Sequence, residues 1–89
     1  MDEATKNREP AREDAAIEAA VLQQLLELHP VQLTRAETVR EIAGESTDFA
    51  QTDPVERAID QLSIAGLVHV NDSIVLPSRA ALRFYELLE

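Results

Sequence analysis

The segment from Asp53 to Pro77 constrains the fold most, because its helix signals run without a break into hairpin signals. Asp53 is a good N-cap, Pro54 fits a first helical position where its missing N–H bonds nothing, and Glu56 stands three residues after Asp53 as a capping box requires. Val55, Ala58, Ile59 and Leu62 share one helical face, Gly66 suits the left-handed position that closes a helix, and Leu67 can fold back on the last turn. The spacing predicts a helix over 54–65. Two β-branched runs follow, Val68-His69-Val70 and Ile74-Val75-Leu76, around Asn71-Asp72-Ser73, whose short polar side chains favour turns. A two-stranded hairpin over 67–76 is expected.

With 89 residues the chain is expected to form a single domain with a modest core, because a chain this small buries only ~60% of the surface its unfolded form exposes. It has no cysteine, hence neither a disulfide framework nor a thiolate metal site, and His29 and His69 lie too far apart in sequence to suggest one. The first thirty residues lack an apolar stretch of the kind a leader or membrane anchor carries, so a soluble, cytoplasmic protein without membrane contact is expected. The serines at 46, 63, 73 and 78 have no histidine near them, and Gly44 and Gly66 alone make no phosphate loop. Neither catalysis nor a metal or cofactor is expected.

Residues 1–13 are polar and aperiodic and read as a disordered tail ahead of a domain over 14–89. A first helix is expected to start between Glu9 and Asp14 and to run to about His29, where Pro30 disfavours continuation. Its apolar arc, from Ile17 through Val21, Leu22, Leu25, Leu26 and Leu28, is wide enough for two neighbours. Val31-Gln32-Leu33 alternates as a short strand does, and Thr34-Arg35-Ala36-Glu37 reads as a capping box opening a second helix that Gly44 closes. Phe49 is the one large apolar residue in the polar link that follows, and is expected to plug the core. Pro77 and Ser78 introduce a last helix, in which Ala81, Phe84, Tyr85 and Leu88 keep helical spacing. Two of the chain's three aromatics lie there, so Phe84, Tyr85 and Leu88, with Leu22 and Leu26 of the first helix, are candidates for a protein interface or a homodimer seam.

The order α-β-α-α-β-β-α, mainly α with a small antiparallel sheet, resembles the winged-helix branch of the helix-turn-helix superfamily over residues 14–89. Leu33-Thr34 followed by Ala36, Val39 and Ile42 resembles the entry to that family's second helix. Ala58-Ile59-Asp60-Gln61-Leu62 followed by Gly66-Leu67-Val68 resembles its recognition helix running into the wing. The resemblance implies a transcriptional regulator that reads double-stranded DNA with the third helix and the wing. Arg57 and Gln61 would then contact bases, while Thr34, Arg35, Gln51 and Thr52 would hold phosphates at helix starts and Arg40 would join Arg35 and Arg57 in a positive strip.

Charge points to the alternative. Seventeen acidic against eight basic side chains give a net charge of −9, which repels phosphate at long range. From Pro30 onward ten carboxylates face five arginines, and Asp72 stands at the wing tip. Ile64 falls on the solvent side of the third helix near Glu56 and Asp60, which suits a patch for a protein partner. The second expectation is therefore an acidic winged-helix interaction module that does not bind DNA.

Overall fold

The chain's computed structural model describes residues 2–45 and 48–88, with side chains from residue 12 onward. Helix α1 (Asp2–Leu28) leads to strand β1 (Leu33–Thr34) and helices α2 (Arg35–Ala43) and α3 (Phe49–Ile64). Strands β2 (Val68–Asn71) and β3 (Ile74–Pro77) and helix α4 (Arg79–Leu87) complete it. The mainly helical order with a small antiparallel sheet is the expected one, and the layout is winged-helix-like.

Local chemistry sets most boundaries. Glu37 N–H donates to the Thr34 hydroxyl (3.0 Å) and Thr34 N–H to the Glu37 carboxylate (2.9 Å), so the capping box at the start of α2 is complete. Gly44 closes α2 at φ 77°, a conformation in which a side chain is strained. At the end of α3, Leu67 N–H reaches the Leu62 carbonyl (2.9 Å) and Gly66 N–H the Ser63 carbonyl (3.1 Å), a Schellman closure with Gly66 at φ 82°. Ser78 caps α4 by accepting from Ala81 N–H at 3.1 Å. The hairpin turns through Asp72 and Ser73, with Asp72 at φ 57°, a left-handed conformation that aspartate tolerates better than most residues.

Three boundaries differ from expectation. Helix α3 starts at Phe49 under Asp48, whose carboxylate accepts from Ala50 N–H (2.9 Å), and not at Pro54 under Asp53. Pro54 lies inside α3, where it forfeits the one bond its N–H would make to Ala50 without ending the helix, and Asp48 offers the same capping chemistry a turn earlier. Phe49, now in the first turn, is 76% exposed and plugs nothing. Strand β1 is Leu33–Thr34, not 31–33, because Val31 N–H is used in the turn leaving α1, donating to the Leu28 carbonyl at 2.7 Å. Helix α1 reaches back to Asp2 through Pro10, whereas composition suggests a tail to residue 13. Once the apolar half of α1 is docked, each added residue with fair helix propensity, such as Ala4, Lys6, Arg8 and Ala11, gains a backbone bond without a new nucleus.

The sheet is ordered β1-β3-β2, with Leu33 opposite Val75 and Val70 opposite the same Val75 from the other side. Its inner face meets the helices in one core of Val21 and Leu25 from α1, Val39 from α2, Val55, Ile59 and Leu62 from α3, and Val68 and Val75. Thr38 is fully buried there, its hydroxyl satisfied by donating to the Thr34 carbonyl at 2.9 Å. No helix among the described residues is long and apolar enough to cross a membrane.

The capping box yields two measurable outcomes. Thr34→Ala should lower unfolding free energy by about 1 kcal/mol in urea titration, the usual cost of removing a cap. The Glu37 carboxyl is held below its ordinary value, first by the Thr34 N–H, then by the Thr34 hydroxyl and the Arg40 charge. A group whose folded pKa is depressed contributes stability above its unfolded pKa of about 4.3 and loses it as pH falls through the folded value. Stability below about pH 4.3 should therefore fall less steeply in Glu37→Gln than in wild type, read as urea midpoints across an acid series.

Candidate functional site

Two surfaces gather the residues singled out by sequence. On the first, between α2 and α3, Arg35 is the centre, because the N-terminus of α2 aims it at the successive turns of α3 that carry Glu56 and Asp60. Its Nε donates to Glu56 Oε1, and its Nη2 donates to Asp60 Oδ1 (2.9 Å) and to the Glu56 carbonyl (3.1 Å). Partial burial alone would favour the neutral guanidine, but the hydrogen bonds and charges of Glu56 and Asp60 outweigh it and raise the Arg35 pKa. The guanidinium is thus spent on three internal acceptors.

The other residues of the expected DNA-reading set are distributed around the molecule. The Thr34 hydroxyl is occupied by its cap. Arg40 and Thr52 border an open depression of about 440 Å³ that also carries Glu45 and Glu56. Arg57 and Gln61 face α1 across a hollow of about 310 Å³ rimmed by Asp14 and Glu18, with Arg57 Nη2 at 4.0 Å from Asp14 Oδ1. Gln51 is exposed in the first turn of α3. Arg35 and Arg40 therefore share Glu56 between them, while Arg57 lies apart beside Asp14, and each of the three has carboxylates next to it.

The second surface lies between α1 and α4. Leu22 and Leu26 of α1 and Phe84, Tyr85 and Leu88 at the C-terminal end line an apolar groove of about 410 Å³, with Ala19 beside them. Five of the six expected interface residues are thus brought together. Phe84 is 62% and Leu88 66% exposed, although α4 is otherwise anchored through its buried Ala81. Ile64, the sixth, is 78% exposed near the C-terminal end of α3 and does not line the groove.

Leu87, which helical spacing already puts with Ala80 at the edge of the last helix's apolar face, is 64% exposed and extends that surface. Sequence reasoning missed other contributors. Asp14 and Glu18, four residues apart on α1, hold the rim opposite Arg57, and no local pattern announces that meeting. Glu56 and Asp60, also four apart, read in sequence as neighbours of Ile64 in a partner-facing patch; in the fold they are ligands for Arg35. Comparisons of the chain with protein-family models, with curated proteins and with solved structures found no match.

Removing the cation leaves two carboxylates facing each other across one turn of α3. Arg35→Met should lower stability by about 1 kcal/mol, the upper range for an exposed-to-half-buried pair, and adding Glu56→Gln should recover part of the loss in a double-mutant cycle.

Proposed function

We propose that the chain is a small winged-helix-like protein-interaction module, with the α1–α4 groove as its recognition surface. The observation that carries this reading is the groove itself: Leu22, Leu26, Phe84, Tyr85 and Leu88 form one apolar surface on a chain whose remaining exterior is strongly acidic. Clustered apolar surface of this kind marks an interaction site, whereas singly scattered apolar residues do not. The acidic exterior supports the same reading, since it disfavours nucleic acid and speeds encounter with mixed-charge or basic proteins. The module needs no catalytic group, metal or cofactor, and a soluble cytoplasmic setting suits it.

A second reading, DNA recognition by a winged-helix regulator, is carried by Arg57 and Gln61. Both are exposed on α3, and the Arg57 ion pair at 4.0 Å is long enough to yield to a stronger acceptor. On that reading Arg57→Ala weakens specific binding by ~1–3 kcal/mol, and Arg35→Ala weakens all sequences alike.

Fluorescence anisotropy of a labelled mixed-sequence duplex, titrated at low salt and then along a salt series, separates the two. The interaction reading expects no binding at high micromolar protein; binding that falls steeply with salt would replace it with DNA reading. Glu56→Gln with Asp60→Asn removes two negative charges and frees Arg35. That variant should bind duplex measurably more tightly than wild type, which locates the electrostatic block on α3.

A further inference from the structure

The hairpin turn carries a side chain at a backbone position that does not favour one. Asn71 pairs with Ile74 in the sheet, which leaves Asp72 and Ser73 as a two-residue turn. Two turn types match the twist of the flanking strands, type I′ with both central residues at positive φ and type II′ with only the first. Asp72 is at φ 57° and Ser73 is not among the residues of positive φ, so the turn is type II′. Asp72 thus takes the position that glycine ordinarily fills. As the mirror of type II, this turn sets ψ of its first central residue near about −120°. At that ψ the nitrogen of the next residue is eclipsed with Cβ, and a carboxyl group carried on Cβ reaches it by rotation about χ1 alone.

We infer that Asp72 is a site of spontaneous backbone modification, at which the peptide link to Ser73 migrates from the α-carboxyl to the side-chain carboxyl through a cyclic imide. The Ser73 nitrogen attacks Asp72 Cγ and bonds to it, and one Cγ oxygen leaves as water with the amide proton and the proton of the acid. Water then reopens the five-membered ring. Addition at Cγ breaks the new bond and restores aspartate. Addition at the backbone carbonyl carbon breaks the original peptide bond and leaves isoaspartate with a free α-carboxylate. Water is the only co-reactant.

Asp72 and Ser73 are both exposed, so water has access to the ring. The hydrogen bonds of a two-residue turn run between its flanking residues, here Asn71 and Ile74, which leaves the Ser73 N–H outside the ladder. The Ser73 side chain is small and unbranched, so its nitrogen can be approached closely. Other aspartates lack this geometry. Asp14, Asp53 and Asp60 lie within helices, where ψ near about −42° keeps the next nitrogen away from Cβ. Asp48 has ψ 122°, which puts that nitrogen on the far side, and bulky Phe49 follows it. The consequence falls on the wing. Isoaspartate adds a methylene to the main chain of the turn, and the Ser73 carbonyl is the acceptor that ties Arg35 N–H to the wing at 2.7 Å. Lengthening the turn relieves the positive φ at Asp72 and loosens that tie.

Prolonged incubation of the full chain in warm neutral buffer made with heavy-oxygen water, followed by peptide mapping with mass spectrometry, tests this. Each closing and reopening of the ring leaves a heavy oxygen in residue 72, and the isoaspartyl peptide separates chromatographically from its aspartyl isomer of equal mass. Label and isoaspartate should concentrate at Asp72. Both should accumulate several-fold faster in the native chain than in the same chain held unfolded in guanidinium chloride, because only the fold presets ψ. Ser73→Val keeps a residue of negative φ at that position but crowds the nitrogen with a branched Cβ, and should slow the reaction several-fold. Asp72→Gly, which suits the turn, should remove it while circular dichroism stays near wild type. The modified fraction, once separated, should melt below the unmodified chain. Label spread evenly over the aspartates, a native chain slower than the unfolded one, or a Ser73→Val rate equal to wild type would each overturn the inference.

Discussion

Thr34 is the junction on which the rest of the structure depends. It pairs with Ile74 in the sheet, caps α2 through its hydroxyl, and accepts from the buried Thr38 hydroxyl through its carbonyl. The next residue, Arg35, ties its N–H to the Ser73 carbonyl at 2.7 Å, which joins the start of α2 to the wing turn. One dipeptide thus satisfies strand, helix and hairpin together. The orphan donors of a helix start and the unpaired groups of an edge strand are both costly if left dry, and here each supplies partners for its neighbour. The result fixes the first turn of α2 relative to α3, which is what delivers the Arg35 side chain to Glu56 and Asp60.

That delivery has a functional consequence. In a DNA reader, a cation at this helix start and a polar α3 face would be left open to phosphate and base edges. Here the cation is neutralised by α3 itself, and the cost of displacing two carboxylates would be added to any phosphate contact. Arg57 is likewise opposed, by Asp14 of α1. The same side chains that stabilise the helix packing lower its attraction for nucleic acid, and they do so without altering the backbone layout.

Where a signal depends on a few neighbouring residues, it was legible. Thr34 with Glu37, Gly44, Gly66 with Leu67, and Ser78 each satisfy backbone groups within one turn, so their roles follow from residue type and spacing. The groove residues were legible as a set because helical periodicity alone puts Leu22 and Leu26, and Phe84 and Leu88, on single faces. The competition between Asp48 and Asp53 was not, since both can cap, and Phe49, Ala50 and Gln51, which the longer helix adds, are exposed and leave no apolar pattern to follow. Nor could the fates of the arginines be read. An ion pair between α2 and α3, or between α1 and α3, joins residues distant in sequence, and charge counts cannot distinguish a repelling surface from an internally paired one.

The open groove follows from the size of the chain. A core of this size is filled by one stripe from α1, Val39 of α2, one face of α3 and one face of the sheet, and α4 reaches it through Ala81. Phe84, Leu87 and Leu88 are then left on the outside of α4, although α4 is short enough that polar residues there would cost no core burial. About two turns of α1, from Ala19 to Leu26, face them across the groove. Val21 and Leu25 of those same turns are committed to the core, so Leu22 and Leu26 flank it half-buried, and Phe84 and Leu88 meet them while staying largely exposed.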